Sequence, residues 1–234
     1  MSFKLIMPMA GNGSRFSEQG YTVPKPLIEV DGKPMFVQAI DCLGLDFDEY
    51  IFIVKREHNL SEEIEKYFNE YICNSTIIEL DETTEGAACT VLTADSYIQD
   101  NDSIMVCNCD QIIKWDNELW YTIPDSDGII LVFDEPTADP KWSFAQLDDW
   151  NKVIKVAEKD PISTWATTGH YYWKRWDTFR SSARAMIDAD DRTNNEFYLC
   201  PVYNHTPGTI RAVPVNEMHG IGTPEDLQKW QSIS

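Results

Sequence analysis

Residues 7–27 read MPMAGNGSRFSEQGYTVPKPL. An apolar run over 3–8 leads into them and predicts a β-strand, after which come Met9, Ala10, Gly11, Asn12, Gly13, Ser14 and Arg15. Glycine takes φ > 0 without steric penalty, so the chain can turn sharply here and aim successive N–H groups into one concavity, a nest for phosphate oxygens. A G-x-G turn alone is also an ordinary strand-to-helix connection. The cations sharpen the reading. Arg15 can fork onto a polyphosphate, and ten positions further on Lys25 stands between Pro24 and Pro26, which hold it in a stiff extended segment. Two fixed cations beside a nest suit a triphosphate.

Working outward, the first half alternates strand-like runs (3–8, 50–54, 75–79, 103–107) with helical ones (35–43, 61–71, 86–97). This βαβαβαβ order predicts an α/β fold with a parallel, doubly wound sheet. Beyond Asp110 the runs 128–133, 142–147 and 153–157 are short, β-like and separated by Asp, Pro and Asn turns, which reads as an appended antiparallel section. A strand over 166–173, a helix over 176–188, a strand over 209–213 and a helix over 224–231, opened by Thr-Pro, complete the chain. There is no repeat or linker, so one domain over 1–234 is expected, divided into 1–112 and a β-rich 113–234.

The 234 residues are 43% hydrophobic and 12% aromatic, enough for a full core. A net charge of −20 repels nucleic acid and anionic lipid, so neither a nucleic-acid nor a membrane partner is expected. A phosphate site must then be locally basic or metal-assisted. The chain shows no membrane-length apolar run and no secretory pattern, which predicts a cytoplasmic protein. Its composition is compatible with a monomer or a homodimer. The six cysteines, Cys42, Cys73, Cys89, Cys107, Cys109 and Cys200, form no C-x-x-C pair and read as reduced, buried thiols. The four histidines, His58, His170, His205 and His219, are scattered and suggest no catalytic base.

Gly11-x-Gly13-Ser14-Arg15 followed by Pro24-Lys25-Pro26-Leu27 resembles the signature of the sugar-phosphate nucleotidylyltransferases, or NTP transferases. The likeness continues in order through Glu85-Gly86-Ala87-Ala88, Asn108-Cys109-Asp110, Glu158-Lys159, Thr168-Gly169-x-Tyr171, Asn195-Glu196-Phe197-Tyr198 and Gly220-x-Gly222-Thr223-Pro224. The resemblance implies a mostly parallel sheet of the nucleotide-diphospho-sugar transferase, GT-A-like type. In it 1–112 would bind the nucleotide and 113–234, as a small β-rich lobe, the acceptor. It implies that Met9, Ala10, Gly11, Asn12, Gly13 and Ser14 cradle the triphosphate while Arg15 and Lys25 neutralise charge at the attacked α-phosphate. Thr84, Glu85, Gly86, Ala87 and Ala88 would read the base, although Thr84 could simply cap a helix.

Asp110 ends an apolar strand on the side where open parallel sheets bind ligands. It matches the family's metal-holding aspartate, so Mg²⁺ is the expected cofactor, bridging nucleotide phosphates. On the acceptor side the resemblance sets Glu158 against the acceptor and Lys159 on its phosphate, with Gly169, Tyr171, Asn195 and Glu196 beside them. Glu158 and Lys159 also read as a solvated surface pair. Phe197 and Tyr198 are aromatics at helical spacing, which suits a core better than a cage.

One departure stands out. Many relatives carry a second aspartate just before the late Gly-Thr, whereas this chain reads Met218-His219-Gly220-Ile221-Gly222-Thr223. Glu217, His219 or Asp226 could substitute, or Asp110 with phosphate and water ligands could suffice. The short chain looks closer to small cytidylyltransferases, so the resemblance favours CTP, with a sugar phosphate, a phosphocholine-like molecule or a phospho-amino acid as acceptor. For a quaternary amine, Trp142, Tyr171, Tyr172 and Trp173 could supply an aromatic box. Two rival readings remain. A GT-A glycosyltransferase would hold a nucleotide-sugar through D-x-D, but 108–110 lacks the first aspartate; a non-catalytic nucleotide or sugar-phosphate binder would have lost turnover with the second aspartate.

Overall fold

The computed structural model describes residues 1–71, 74–123 and 125–233. Strand β1 (Phe3–Met9) is apolar and buried on both faces, as a central parallel strand must be. It is followed by a single helical turn, α1 (Ser14–Ser17), a small hairpin of β2 (Glu29–Val30) and β3 (Lys33–Pro34), and helix α2 (Met35–Asp41). Then come β4 (Glu49–Lys55), α3 (Ser61–Tyr71), β5 (Ser75–Leu80), α4 (Ala87–Leu92) and β6 (Ser103–Cys107). β1 pairs in parallel with β4 and β6, and β4 with β5, giving the order β6-β1-β4-β5.

The side chains of these strands alternate between two cores. Ile6, Ile51, Ile104 and Val106 face α4, while Leu5, Met7, Phe52 and Met105 face α2 and α3. This double coverage explains why the strands read as continuous apolar runs.

The second half consists of β7 (Gln111–Lys114), β8 (Gly128–Asp134), β9 (Ser143–Leu147), β10 (Val153–Glu158), β11 (Trp165–Trp173), α5 (Trp176–Asp188), β12 (Ile210–Pro214), β13 (Glu217–Gly220) and α6 (Pro224–Gln231). Long β11 lies antiparallel to β6 and carries β8 and β9 on its other side, with β10 beyond β9 and β12 beyond β8. The antiparallel section therefore continues the parallel strands into one nine-stranded sheet. β11 changes register between Thr167 and Tyr171, and there Gly169 is left-handed at φ 76°. Such a bulge bends the strand and re-aims its backbone.

Two features differ from the sequence expectation. The helix expected over 86–97 stops at Leu92, because Asp95 turns away to accept from Trp176 Nε1 and Arg180 Nη1 of α5, both at 2.8 Å. The ribbon β7-β13 was not legible at all, since its strands are about a hundred residues apart in the chain. It matters for the site: Ile221 N–H donates to the Asp110 carbonyl at 2.8 Å, hanging residues 220–223 over the end of β6.

Cys42, Cys89, Cys107, Cys109 and Cys200 are free thiols, and burial pushes Cys42 and Cys109 up to about 11 each; Cys73 lies outside the described residues. Among the described residues no helix is long and apolar enough to cross a membrane.

Candidate active site

The carboxyl ends of β1, β4, β5 and β6 meet along one edge of the sheet. After β1 the chain turns through Gly13 (φ 60°) into α1. The turn is tied to its neighbours through Asn12, whose Oδ1 accepts from Lys55 Nζ at 3.2 Å and from Thr83 Oγ1 at 3.3 Å. Lys25 opens a 3₁₀ turn behind Pro24, and its ammonium is ion-paired with the Asp110 carboxylate at the end of β6. Burial opposes the charge on Lys25 most strongly, yet Asp110, by charge and hydrogen bond, and Cys109 together hold the ammonium above the ordinary lysine range. The chain crosses this pair closely at Gly222: a Cβ there would lie 2.5 Å from Asp110 Oδ2 and would push the carboxylate aside.

Three cavities run along this edge. The first, of about 440 Å³, is lined by Ala10, Gly11, Asn12, Thr83, Thr84, Glu85, Gly86, Ala87, Asn195 and Glu196 among others. The second, of about 180 Å³, lies between Gly13, Ser14, Arg15, Phe16, Lys25 and Gly222. The third, of about 310 Å³, contains Arg15, Asp110, Lys141, Trp142, Glu158, Lys159, Gly169, Tyr171, Tyr198 and Asp226. Ala87 borders the first and third, Arg15 and Gly222 the second and third, so the three adjoin one another in a row, the trough. Arg15 borders both the second and the third cavity, and the Lys25–Asp110 ion pair links them, Lys25 lining the second and Asp110 the third.

The turn at 84–88 is built around a close approach. Gly86 has φ 142°, and a Cβ on it would lie 2.4 Å from the Phe197 carbonyl oxygen. Phe197 N–H donates to the Glu85 carbonyl at 2.9 Å, and Ala88 N–H to the Phe197 carbonyl at 3.0 Å. Arg192 pairs with Glu85 at 2.7 Å, and Thr84 Oγ1 donates to the Gly86 carbonyl at 2.9 Å.

Some expected residues sit elsewhere than the sequence suggested. Met9 and Ala88 line none of the three cavities; both are buried in the cores behind them, and the Ala88 N–H is engaged by Phe197. Asn195 and Glu196 line the first cavity beside Gly86 rather than the third, because the 193–198 segment is docked on the 85–88 turn.

In the third cavity, the open end of the β9–β10 hairpin brings Trp142, Ser143, Glu158 and Lys159 together, with Lys159 N–H donating to the Trp142 carbonyl at 3.0 Å. Ser143 Oγ donates to the Glu158 carboxylate. Burial raises the Glu158 carboxyl above the usual carboxylate range, with Ser143 and Lys159 opposing the rise. A carboxyl raised in the fold is penalised when charged, and the penalty disappears as pH falls through its folded value. Glu158→Gln is therefore expected to raise the melting temperature at pH 7, and calorimetry should show the gap from the parent chain narrowing on acidification.

The proposed aromatic box does not form. Trp142 and Tyr171 line the cavity, but Tyr172 points to the opposite face against Phe3 and Trp120, and Trp173 is buried, stacked on Tyr203 at 4.3 Å. Adjacent strand residues face opposite ways. Tyr198, assigned to the core by its spacing, instead lines the cavity; Phe197 is the buried one. No histidine lines any of the three cavities, and His170 is enclosed beside Thr168, its pKa lowered to about 4 by burial.

At the position of the relatives' second aspartate stands Gly220, where a Cβ would lie 3.0 Å from Trp142 Cη2. Glu217 pairs with Lys114 at 2.8 Å and with His219 at 3.0 Å, and neither Glu217 nor His219 lines the trough. Asp226 does, in the first turn of α6, near Asp110 in the lining of one cavity. Among the described residues no group of three metal-ligating side chains exists. One or two carboxylates fit an ion that takes its remaining ligands from phosphate and water, as Mg²⁺ does.

A nucleotidyl transferase family model matches residues 4–207, and the chain belongs to that family. It is 30% identical over 203 residues to the 2-aminoethylphosphonate cytidylyltransferase of Lancefieldella rimae, covering 86% of this chain and 79% of that one. It is 25% identical over 194 residues to the bifunctional protein GlmU of Methanococcus aeolicus; the match covers 80% of this chain but 45% of the relative. A nucleoside-diphosphate-sugar pyrophosphorylase structure from Vibrio cholerae superposes with a TM-score of 0.83 at 27% identity, covering 97% of this chain and 99% of that one. The fold is that of the nucleotide-diphospho-sugar transferases.

Proposed function

We propose that this protein transfers NMP, with CMP preferred, from an NTP to a phosphorylated small molecule and releases pyrophosphate. The observation that carries the reading is the row of three adjoining cavities, with Arg15 and the Lys25–Asp110 ion pair between the second and the third. Residues 1–112 contribute most of the nucleotide side and 113–234 most of the acceptor side. The preference for CTP is supported by the cytidylyltransferase relative, and that protein's named substrate adds phosphonates to the acceptors worth testing beside sugar phosphates, phosphocholine and phospho-amino acids. The proposed reaction would draw on the cytoplasmic NTP pool, and a cytoplasmic location is proposed with it.

An acceptor phosphate is already an anionic nucleophile, which agrees with a trough lined by no histidine. Its oxygen attacks the α-phosphorus in line, the new P–O bond forming as the bond to the pyrophosphate oxygen breaks and that oxygen leaves with the electron pair. Gly11, Asn12, Gly13 and Ser14 hold the triphosphate, and Arg15 and Lys25 face the charge that builds on the transferring group. Asp110, with Asp226, would hold Mg²⁺, which supplies charge neutralisation across the nucleotide phosphates. Lys159 holds the acceptor phosphate and Glu158 the rest of the acceptor, so catalysis rests on positioning.

The decisive assay is pyrophosphate release with Mg²⁺, each of the common NTPs, and a panel of sugar 1-phosphates, phosphocholine, 2-aminoethylphosphonate and phospho-amino acids. Release in a well that requires both CTP and one acceptor is the expected result. Nucleotide binding without release across the panel would reject it. Lys159→Ala is expected to raise the acceptor KM about tenfold and leave the NTP KM unchanged, as loss of one charge-assisted contact predicts. Steady-state kinetics with each substrate varied in turn would check this.

A further inference from the structure

Lys159 is held in an uncommon way. Its backbone is left-handed at φ 55°, a conformation that a non-glycine residue seldom adopts. Across the cavity its ammonium meets Tyr198, donating to the phenol oxygen at 2.7 Å and standing 4.7 Å from the ring centroid. The two partners differ in freedom. Tyr198 follows Phe197, which is buried and bonded through both its N–H and its carbonyl to the 85–88 turn, and precedes buried Leu199. The backbone that carries the phenol is thus pinned on both sides. Lysine carries four rotatable bonds and loses much rotamer entropy when immobilised.

We infer that Tyr198 is a positioning residue for the acceptor, holding the Lys159 ammonium where an anionic phosphoryl or phosphonate group is to be bound. The inference rests on the reading of Lys159 as the acceptor-phosphate lysine. An ammonium has three donors, and Tyr198 takes one. Two remain for the ligand. The lysine therefore presents them from a restricted position, suited to a group with several anionic oxygens. The lysine's freedom is restricted before the ligand arrives, so less is lost on binding.

The test is a double-mutant cycle on the full chain, with inorganic phosphate as the probe and calorimetry as the readout. Phosphate bound elsewhere survives Lys159→Ala and is subtracted with it. The Lys159-dependent binding is expected to weaken about fivefold in Tyr198→Phe, which keeps the ring and loses only the hydroxyl. In the Lys159→Ala background, Tyr198→Phe should change nothing further, because Tyr198 acts through the lysine. If Lys159→Ala binds phosphate as the parent does, the reading of Lys159 fails and the inference with it. If Lys159→Ala loses binding while Tyr198→Phe keeps it, or if Tyr198→Phe weakens binding further without the lysine, the role of Tyr198 alone is overturned.

Discussion

Lys25→Met is expected to slow pyrophosphate release by about 10²–10³-fold at saturating nucleotide, the range seen when one preorganised charge is removed from a developing anion. Methionine keeps the unbranched stem and removes only the ammonium. The size of the effect follows from how Lys25 is held: a proline on each side, a 3₁₀ turn that begins at the lysine, and a position bordering the pocket shared with Arg15 and Gly222. With so little conformational search, the proposed reaction would find the charge already in place beside the transferring phosphoryl group. Saturating kinetics would check it, and a rate within a fewfold of the parent would show that Lys25 does not face that group. A second readout is independent of turnover. Lys25 is ion-paired with Asp110, so the substitution frees the carboxylate, and Mn²⁺ binding measured by electron paramagnetic resonance without nucleotide should tighten.

Gly86→Ala is expected to destabilise the protein by about 3 kcal/mol, combining an overpacked contact with a positive φ. The added Cβ would stand 2.4 Å from the Phe197 carbonyl oxygen and 2.5 Å from its nitrogen, and backbone cannot swing away as the tip of a side chain can. Relief requires the 193–198 segment to lift off the 85–88 turn, breaking the two Phe197 hydrogen bonds. Asn195 and Glu196 would then leave the first cavity, so nucleotide affinity should fall together with stability. Urea denaturation with a shared m-value would measure the first effect and nucleotide calorimetry the second. A midpoint unchanged from the parent would show that the segment does not dock as described.

The parts of the molecule legible in advance are those whose determinants are local. The apolar runs that became β1, β4, β5 and β6 announce a sheet covered on both faces, because each residue's partner solvent is decided by its own polarity. The glycine turn before Arg15 and the stiffened Lys25 are likewise short-range chemistry, and both border the second cavity. Spacing failed where a residue's role depends on what lies across the fold. Phe197 and Tyr198 are neighbours with the same pattern, yet one is buried and the other lines a cavity, because the turn at Gly86 captures the backbone between Glu85 and Ala88. Asp226 could be named in advance only as one of three substitutes for the missing aspartate; it is the fold, with the β7-β13 ribbon leading into α6, that sets Asp226 and neither Glu217 nor His219 in the cavity that Asp110 lines.

By itself, then, the amino-acid sequence determined the layered α/β architecture and the cationic, glycine-turned end of the trough, since hydrophobic burial and backbone permissiveness act residue by residue. The tertiary structure alone decided which cavity Asn195 and Glu196 serve, that Trp142 lies over Gly220, and that Tyr198 holds Lys159. Those outcomes depend on contacts between segments 39 to more than 100 residues apart, whose pairing is settled by loop closure and the packing of the whole sheet rather than by any local preference.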